Sequence, residues 1–64
     1  MTFGENLKAI RTNKGYTIKE VSQILGISDR AYQYYEENKR EPSFIIIEKL
    51  CTFLNCSTRD LFGF

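Results

Sequence analysis

The sequence predicts an all-α fold, a single compact domain of five short helices. Three observations predict it. Apolar residues recur at helical spacing, a hydroxyl stands three residues before a carboxylate at several expected helix starts, and no stretch alternates apolar and polar residues as a half-buried strand does. The helices are expected over about residues 2–14, 17–25, 28–37, 43–55 and 57–62.

The first helix opens at Thr2, whose hydroxyl and the Glu5 carboxylate can each satisfy an orphan backbone N–H. Phe3, Leu7 and Ile10 then line one face, Lys8, Arg11 and Lys14 lie off it, and Gly15 closes it. Thr17 and Glu20 repeat the capping pair for a second, shorter helix that buries Val21 and Leu25. Only Gly26 and Ile27 separate it from Ser28, the cap of a third helix that turns Ala31, Tyr32 and Tyr35 inward. Two helices joined so tightly must cross at a large angle. Asn38 tolerates the left-handed conformation that ends helix three, and Lys39, Arg40, Glu41 and Pro42 form a polar loop. Ser43 starts helix four, whose expected buried face is Phe44, Ile47, Leu50, Cys51 and Leu54, and Asn55 ends it. Ser57 and Asp60 cap a last short helix that offers Leu61 and Phe62 to the core.

Composition narrows the function by exclusion. A chain of 64 residues makes one domain, 1–64, and a domain of this size buries only about 60% of the surface its unfolded chain exposes. Hydrophobic residues at 42% and charged residues at 27% are globular values, so the chain is expected to fold. Nine basic against eight acidic side chains leave a net charge of +1, so any role on a polyanion must rest on how charge is placed. No apolar run reaches the roughly 18 residues of a membrane span, and the N-terminus lacks a signal pattern; no membrane association and a cytoplasmic location are expected. Cys51 and Cys56, with no histidine in the chain, cannot make a four-ligand zinc site, and reduced, mostly buried thiols are expected. An enzyme is not expected and neither is a cofactor. There is no histidine base, no glycine-rich phosphate loop, no activating partner for either cysteine and no cluster of acids for a metal.

The stretch from Thr17 to Ser43 carries the functional signal. It combines Thr17, Glu20, a small residue at Ser22, the run Leu25-Gly26-Ile27-Ser28, then Glu36, Lys39, Arg40 and Pro42-Ser43. In this register it resembles the lambda repressor and Cro type of helix-turn-helix, with Leu7 and Arg11 upstream and the Phe44 to Leu61 region downstream extending the likeness over nearly the whole chain. The resemblance implies a five-helix, lambda-repressor-like DNA-binding domain whose third helix enters the major groove of double-stranded DNA. On that helix Asp29, Arg30, Gln33 and Tyr34 share the outward face and are the expected base readers. Arg30 can donate two hydrogen bonds to guanine and Gln33 can pair with adenine, while Asp29 can accept from cytosine. Tyr34 has three open roles: its ring on a thymine methyl, its hydroxyl on a phosphate, or plain exposure to solvent. Lys39 and Arg40 are the expected phosphate clamps, with Lys19, Thr17 and Ser28 as further phosphate contacts and Lys14 as a weaker one. Arg11 and Glu36 match an ion pair that in the family ties helix one to the end of helix three, a structural role.

Two departures matter. Ile18 stands where the family usually has a glutamine that touches phosphate, and Glu37-Asn38 replaces the usual Asn-Gly. Glu37 and Asp29 add negative charge near the expected DNA path, so moderate affinity with marked salt sensitivity is expected. Ile45 and Ile46 flank Ile47 on a helix that needs one of the three for its core, and Phe62 and Phe64 lie in the same C-terminal region. These four are the expected interface of a weak homodimer, which would read a palindromic operator with half-sites roughly 34 Å apart. The function expected is a sequence-specific transcriptional regulator, a repressor of phage, mobile-element or bacterial origin. The competing reading keeps the fold but uses it on another protein, as an antitoxin or antirepressor does.

Overall fold

A computed structural model describes residues 2–63, so Phe64, one of the expected interface residues, lies outside the described residues. The described residues form five helices and no strand: α1 (Phe3–Asn13), α2 (Ile18–Leu25), α3 (Asp29–Glu36), α4 (Phe44–Leu54) and α5 (Thr58–Phe62). Each begins one residue after the hydroxyl expected to start it. Thr2, Thr17, Ser28, Ser43 and Ser57 all hold extended backbone and accept a hydrogen bond from the third residue of their helix. The expected ranges therefore included the caps. Capping is reciprocal at α1, α2 and α5, where Glu5, Glu20 and Asp60 accept from the cap's own N–H.

α2 and α3 pack directly on each other, α1 lies across α3 and α5, and α4 closes the far side against α2. The α2–α3 turn depends on Gly26, whose φ of 73° lets its N–H donate to the Gln23 carbonyl and Ile27 to that of Ser22, both at 3.1 Å. Leu7, Val21, Leu25, Tyr32, Tyr35, Leu50, Leu54 and Leu61 make one continuous core drawn from all five helices. Arg11 and Ser22 are the buried polar residues among those described.

α1 approaches the end of α3 too closely for a side chain at the point of contact. A Cβ at Gly4 would stand 2.2 Å from the carbonyl oxygen of Glu36. Asn38, in the left-handed region at φ 61°, locks that approach. Its amide oxygen accepts from the Gly4 N–H and its amide nitrogen donates to the Thr2 hydroxyl, both at 2.9 Å.

Helix four corrects one expectation. Phe44 is 74% exposed rather than buried. Side chains on a helix lean toward its N-terminus, so Phe44, the first residue of α4, has no preceding turn to pack over and stays in solvent. Ile46 packs inward beside Ile47, leaving Ile45 63% exposed. At the other end Asn55 is left-handed at φ 53°, and the Cys56 N–H donates to the Cys51 carbonyl at 3.1 Å. Both cysteines are free and half-buried, and burial pushes the Cys56 thiol up to about 11.

Candidate nucleic-acid interface

α3 has two chemically distinct sides. Tyr32 and Tyr35 face the core at 0% and 7% exposure and meet edge to face, their ring centroids 6.4 Å apart. Asp29, Arg30 and Gln33 lie exposed on the other side, and Tyr34 is half-buried. A helix whose back is gripped by two large rings presents its polar face as a rigid surface, because turning it would expose both rings.

The outward residues are not equally free. Asp29 accepts a hydrogen bond from the Ser22 hydroxyl at 2.5 Å. One carboxylate oxygen thus ties the first turn of α3 to α2, leaving the other to accept from outside. Arg30 donates from Nη1 to the Tyr34 hydroxyl at 3.4 Å, a long bond that steadies the guanidinium one turn along the helix. Gln33 borders a shallow depression shared with Lys8, Arg11, Ile18, Glu36 and Glu37. Ile18 is half-buried and packs on the core, so the position of the missing glutamine is spent on hydrophobic contact.

Beyond α3 the chain turns sharply through Asn38. The Lys39 N–H donates to the Tyr34 carbonyl at 2.9 Å, and the turn carries both cations back beside the Tyr34 ring. The Lys39 ammonium is 5.9 Å and the Arg40 guanidinium 6.0 Å from its centroid. Lys39 also meets Glu37 at 3.4 Å, an exposed pair that offsets part of its charge. Thr17 and Ser28 spend an oxygen lone pair on capping but remain exposed, so each hydroxyl proton stays available. Lys19 is exposed near the start of α2, and Lys14 lies exposed at the end of α1.

Behind this surface lies a polar knot. Arg11 pairs with Glu36 through Nε at 2.6 Å and Nη2 at 3.3 Å, while its Nη1 donates to the Tyr16 carbonyl at 2.9 Å. The Tyr32 hydroxyl donates to the same Glu36 oxygen at 2.6 Å. With side chains only 10% and 7% exposed, Arg11 and Glu36 are shielded from water. The hydrogen bonds that Arg11 donates to Glu36 raise its pKa, and burial followed by the bond donated to Glu36 drives that of Tyr32 well above the usual phenol range.

Sequence reasoning missed the Tyr32 hydroxyl, the Ser22–Asp29 tie and the Asn38 anchor. The first had a signal, since Tyr32 and Glu36 stand four residues apart on one helix and so share a face. The other two join separate elements, α2 to α3 and the turn after α3 to the start of α1, and nothing local announces them. Among the described residues no group of three or more potential metal ligands converges, and no helix is long and apolar enough to cross a membrane.

Comparison with known proteins agrees with this geometry. A family model described as helix-turn-helix matches residues 7–61. Two regulators of Bacillus subtilis are similar in sequence. The SPbeta prophage-derived HTH-type transcriptional regulator YonR is 43% identical over 56 residues, and the HTH-type transcriptional regulator ImmR is 36% identical over 63 residues. The matches take in 88% and 98% of this chain but 52% and 50% of those proteins, so the chain spans about half the length of either. Among solved structures, the restriction-modification controller protein C.AhdI from Aeromonas hydrophila superposes with a TM-score of 0.85 at 32% identity, over 94% of this chain and 91% of that one. The biofilm master regulator SinR, solved in complex with DNA, gives 0.82 at 28% identity, over 92% and 98%.

Proposed function

Because the chain belongs to the helix-turn-helix family, we propose that it is a sequence-specific regulator of transcription, a repressor that lays α3 in the major groove of cytoplasmic double-stranded DNA. One observation carries this reading: Arg30 and Gln33 stand exposed on a helix whose opposite face is fixed by Tyr32 and Tyr35. Arg30 reads guanine and Gln33 reads adenine, with the free oxygen of Asp29 accepting from a cytosine amine. Lys39, Arg40 and Lys19 hold the backbone, helped by the hydroxyls of Thr17 and Ser28. The solved complex of SinR with DNA supports this use of the fold.

The test is selection of a site from a random duplex pool, then titration across salt concentrations. Arg30→Ala is expected to lose about 1–3 kcal/mol on the selected site and little on random duplex. A pool that yields no enriched sequence overturns the reading.

We further propose a weak homodimer on a palindromic site. Of the residues expected at its interface, Ile45 offers the most free apolar surface, joined by the exposed Phe44. Ile46 is largely spent on the chain's own core, and the Phe62 ring lies 4.9 Å from that of Phe3. Sedimentation with and without the selected duplex decides the matter. Association that Ile45→Lys weakens is expected, and a monomer under both conditions overturns the dimer. The same exposed residues, with Ile24 at 51%, favour the second reading of a protein-binding module should DNA selection fail.

A further inference from the structure

Tyr34 shares its helix face with the proposed base readers, yet its surroundings suit another task. It is half-buried, while Arg30 and Gln33 on either side of its turn are exposed. Three cations converge on it. Arg30 donates to its hydroxyl at 3.4 Å, and Lys39 and Arg40 sit 5.9 and 6.0 Å from its ring centroid. Like charges gathered this way repel one another; Glu37 offsets part of the Lys39 charge, and the electron-rich ring attracts both Lys39 and Arg40 without neutralising either. A carboxylate in the same place would cancel the charge that a phosphate needs.

Resting on the DNA-binding reading above, we propose that Tyr34 is a positioning residue for the phosphate grip rather than a base reader. Its ring holds Lys39 and Arg40 beside the end of α3, and its hydroxyl steadies Arg30. The two halves of the side chain therefore serve two parts of the interface. The ring gathers the cations that take the anionic backbone, which is sequence-independent work. The hydroxyl aims the guanidinium that reads a base, which is sequence-dependent. The backbone bond from the Lys39 N–H to the Tyr34 carbonyl keeps cations and ring in register even before DNA arrives.

The division is separable by substitution. Tyr34→Phe keeps the ring and removes the hydroxyl. It is expected to bind random-sequence duplex like the wild type, with the same salt slope, and to lose roughly threefold in preference for the selected site. Tyr34→Leu keeps apolar bulk and removes the ring's negative face. It is expected to weaken binding to random duplex about fivefold to tenfold, since each exposed cation–ring contact is worth a few-fold in an equilibrium. Its slope of log affinity against log salt is expected to shrink by about 0.9 for each phosphate contact that lapses. A structural defect alone would lower the folded fraction without changing that slope.

Nuclear magnetic resonance of the free protein supplies a readout independent of DNA. The side-chain methylene protons of Lys39 and Arg40 are expected to show ring-current shifts that persist in Tyr34→Phe and vanish in Tyr34→Leu. Wild-type binding to random duplex with Tyr34→Leu unchanged in affinity and slope overturns this inference alone. A wild type with no affinity for any duplex overturns the DNA-binding reading and the inference with it.

Discussion

At Gly4 the absence of one methyl group decides how near two helices can come. An added Cβ would meet the Glu36 carbonyl carbon at 2.6 Å and the Tyr35 carbonyl oxygen at 2.8 Å, backbone atoms that cannot swing aside. On an exposed helix a glycine-to-alanine change gains about 1 kcal/mol. Here Gly4→Ala is expected to lose about 1–3 kcal/mol, as overpacked sites do. Urea denaturation checks it, through a lower midpoint at unchanged slope; equal or greater stability would contradict the close approach. The sequence offered no hint of this contact, because Gly4 and Glu36 meet only once the chain has folded back on itself. Asp29 is similar. Its place on the outward face was legible from helical spacing, but its bond to Ser22, seven residues earlier, depends on how two helices cross.

Among the elements, α5 leans most heavily on its cap. At five residues it is far below the roughly 12–15 at which an isolated helix becomes even marginal in water. The fully buried Leu61, the Asn6 amide that donates to the Leu61 carbonyl and the Phe3–Phe62 ring contact tie it to the body, and its start is held by the exchange in which Ser57 accepts from the Asp60 N–H while Asp60 accepts from the Ser57 N–H. Those hydrogen bonds hold the exposed Asp60 carboxyl below its ordinary pKa, so the cap weakens as pH falls into the acid range. Ser57→Ala is expected to cost about 1 kcal/mol. Hydrogen exchange should localise the damage, with amides of α5 opening while those of α2 and α3 stay protected. Uniform protection across all five helices would show that the cap contributes little. Caps of this kind were readable in the sequence because both partners lie within four residues. The exposure of Phe44 was not, since its spacing from Ile47 and Leu50 is correct for a buried face. What spacing omits is that the inward side of the first turn of α4 is taken by Ile46 and Ile47, leaving Phe44 in solvent.

For the whole molecule, the buried proton donors set an alkaline limit. Burial raises Cys56 from its ordinary 9.0 to about 11, and raises Tyr32 from its ordinary 10.0 still further. The native chain therefore holds protons that the unfolded chain releases. Stability from these two groups is complete below about pH 9; the Cys56 part is lost as the pH climbs from about 9 to about 11, and the Tyr32 part begins to be lost only above about pH 10. Thermal melts are expected to show a Tm that is level with respect to these groups up to about pH 9 and falls above it, with Tyr32→Phe making the part of the fall above about pH 10 shallower; a level Tm up to roughly pH 11 would refute it. The five-helix arrangement and the outward face of α3 were legible because periodicity and caps are local, whereas the knot around Glu36 is assembled from distant pieces. One carboxylate there receives Arg11 from α1 and Tyr32 from within α3, and Arg11 in turn grips the loop at Tyr16. Such a node fails asymmetrically. Losing either ionic partner strands a charge in the interior, whereas losing both removes the charges and leaves only the neutral Tyr32 hydroxyl and Tyr16 carbonyl to find new partners. A chain that loses Arg11 is thus better repaired by replacing the Glu36 carboxylate with a neutral side chain than by keeping it alone, so the two positions act as one unit.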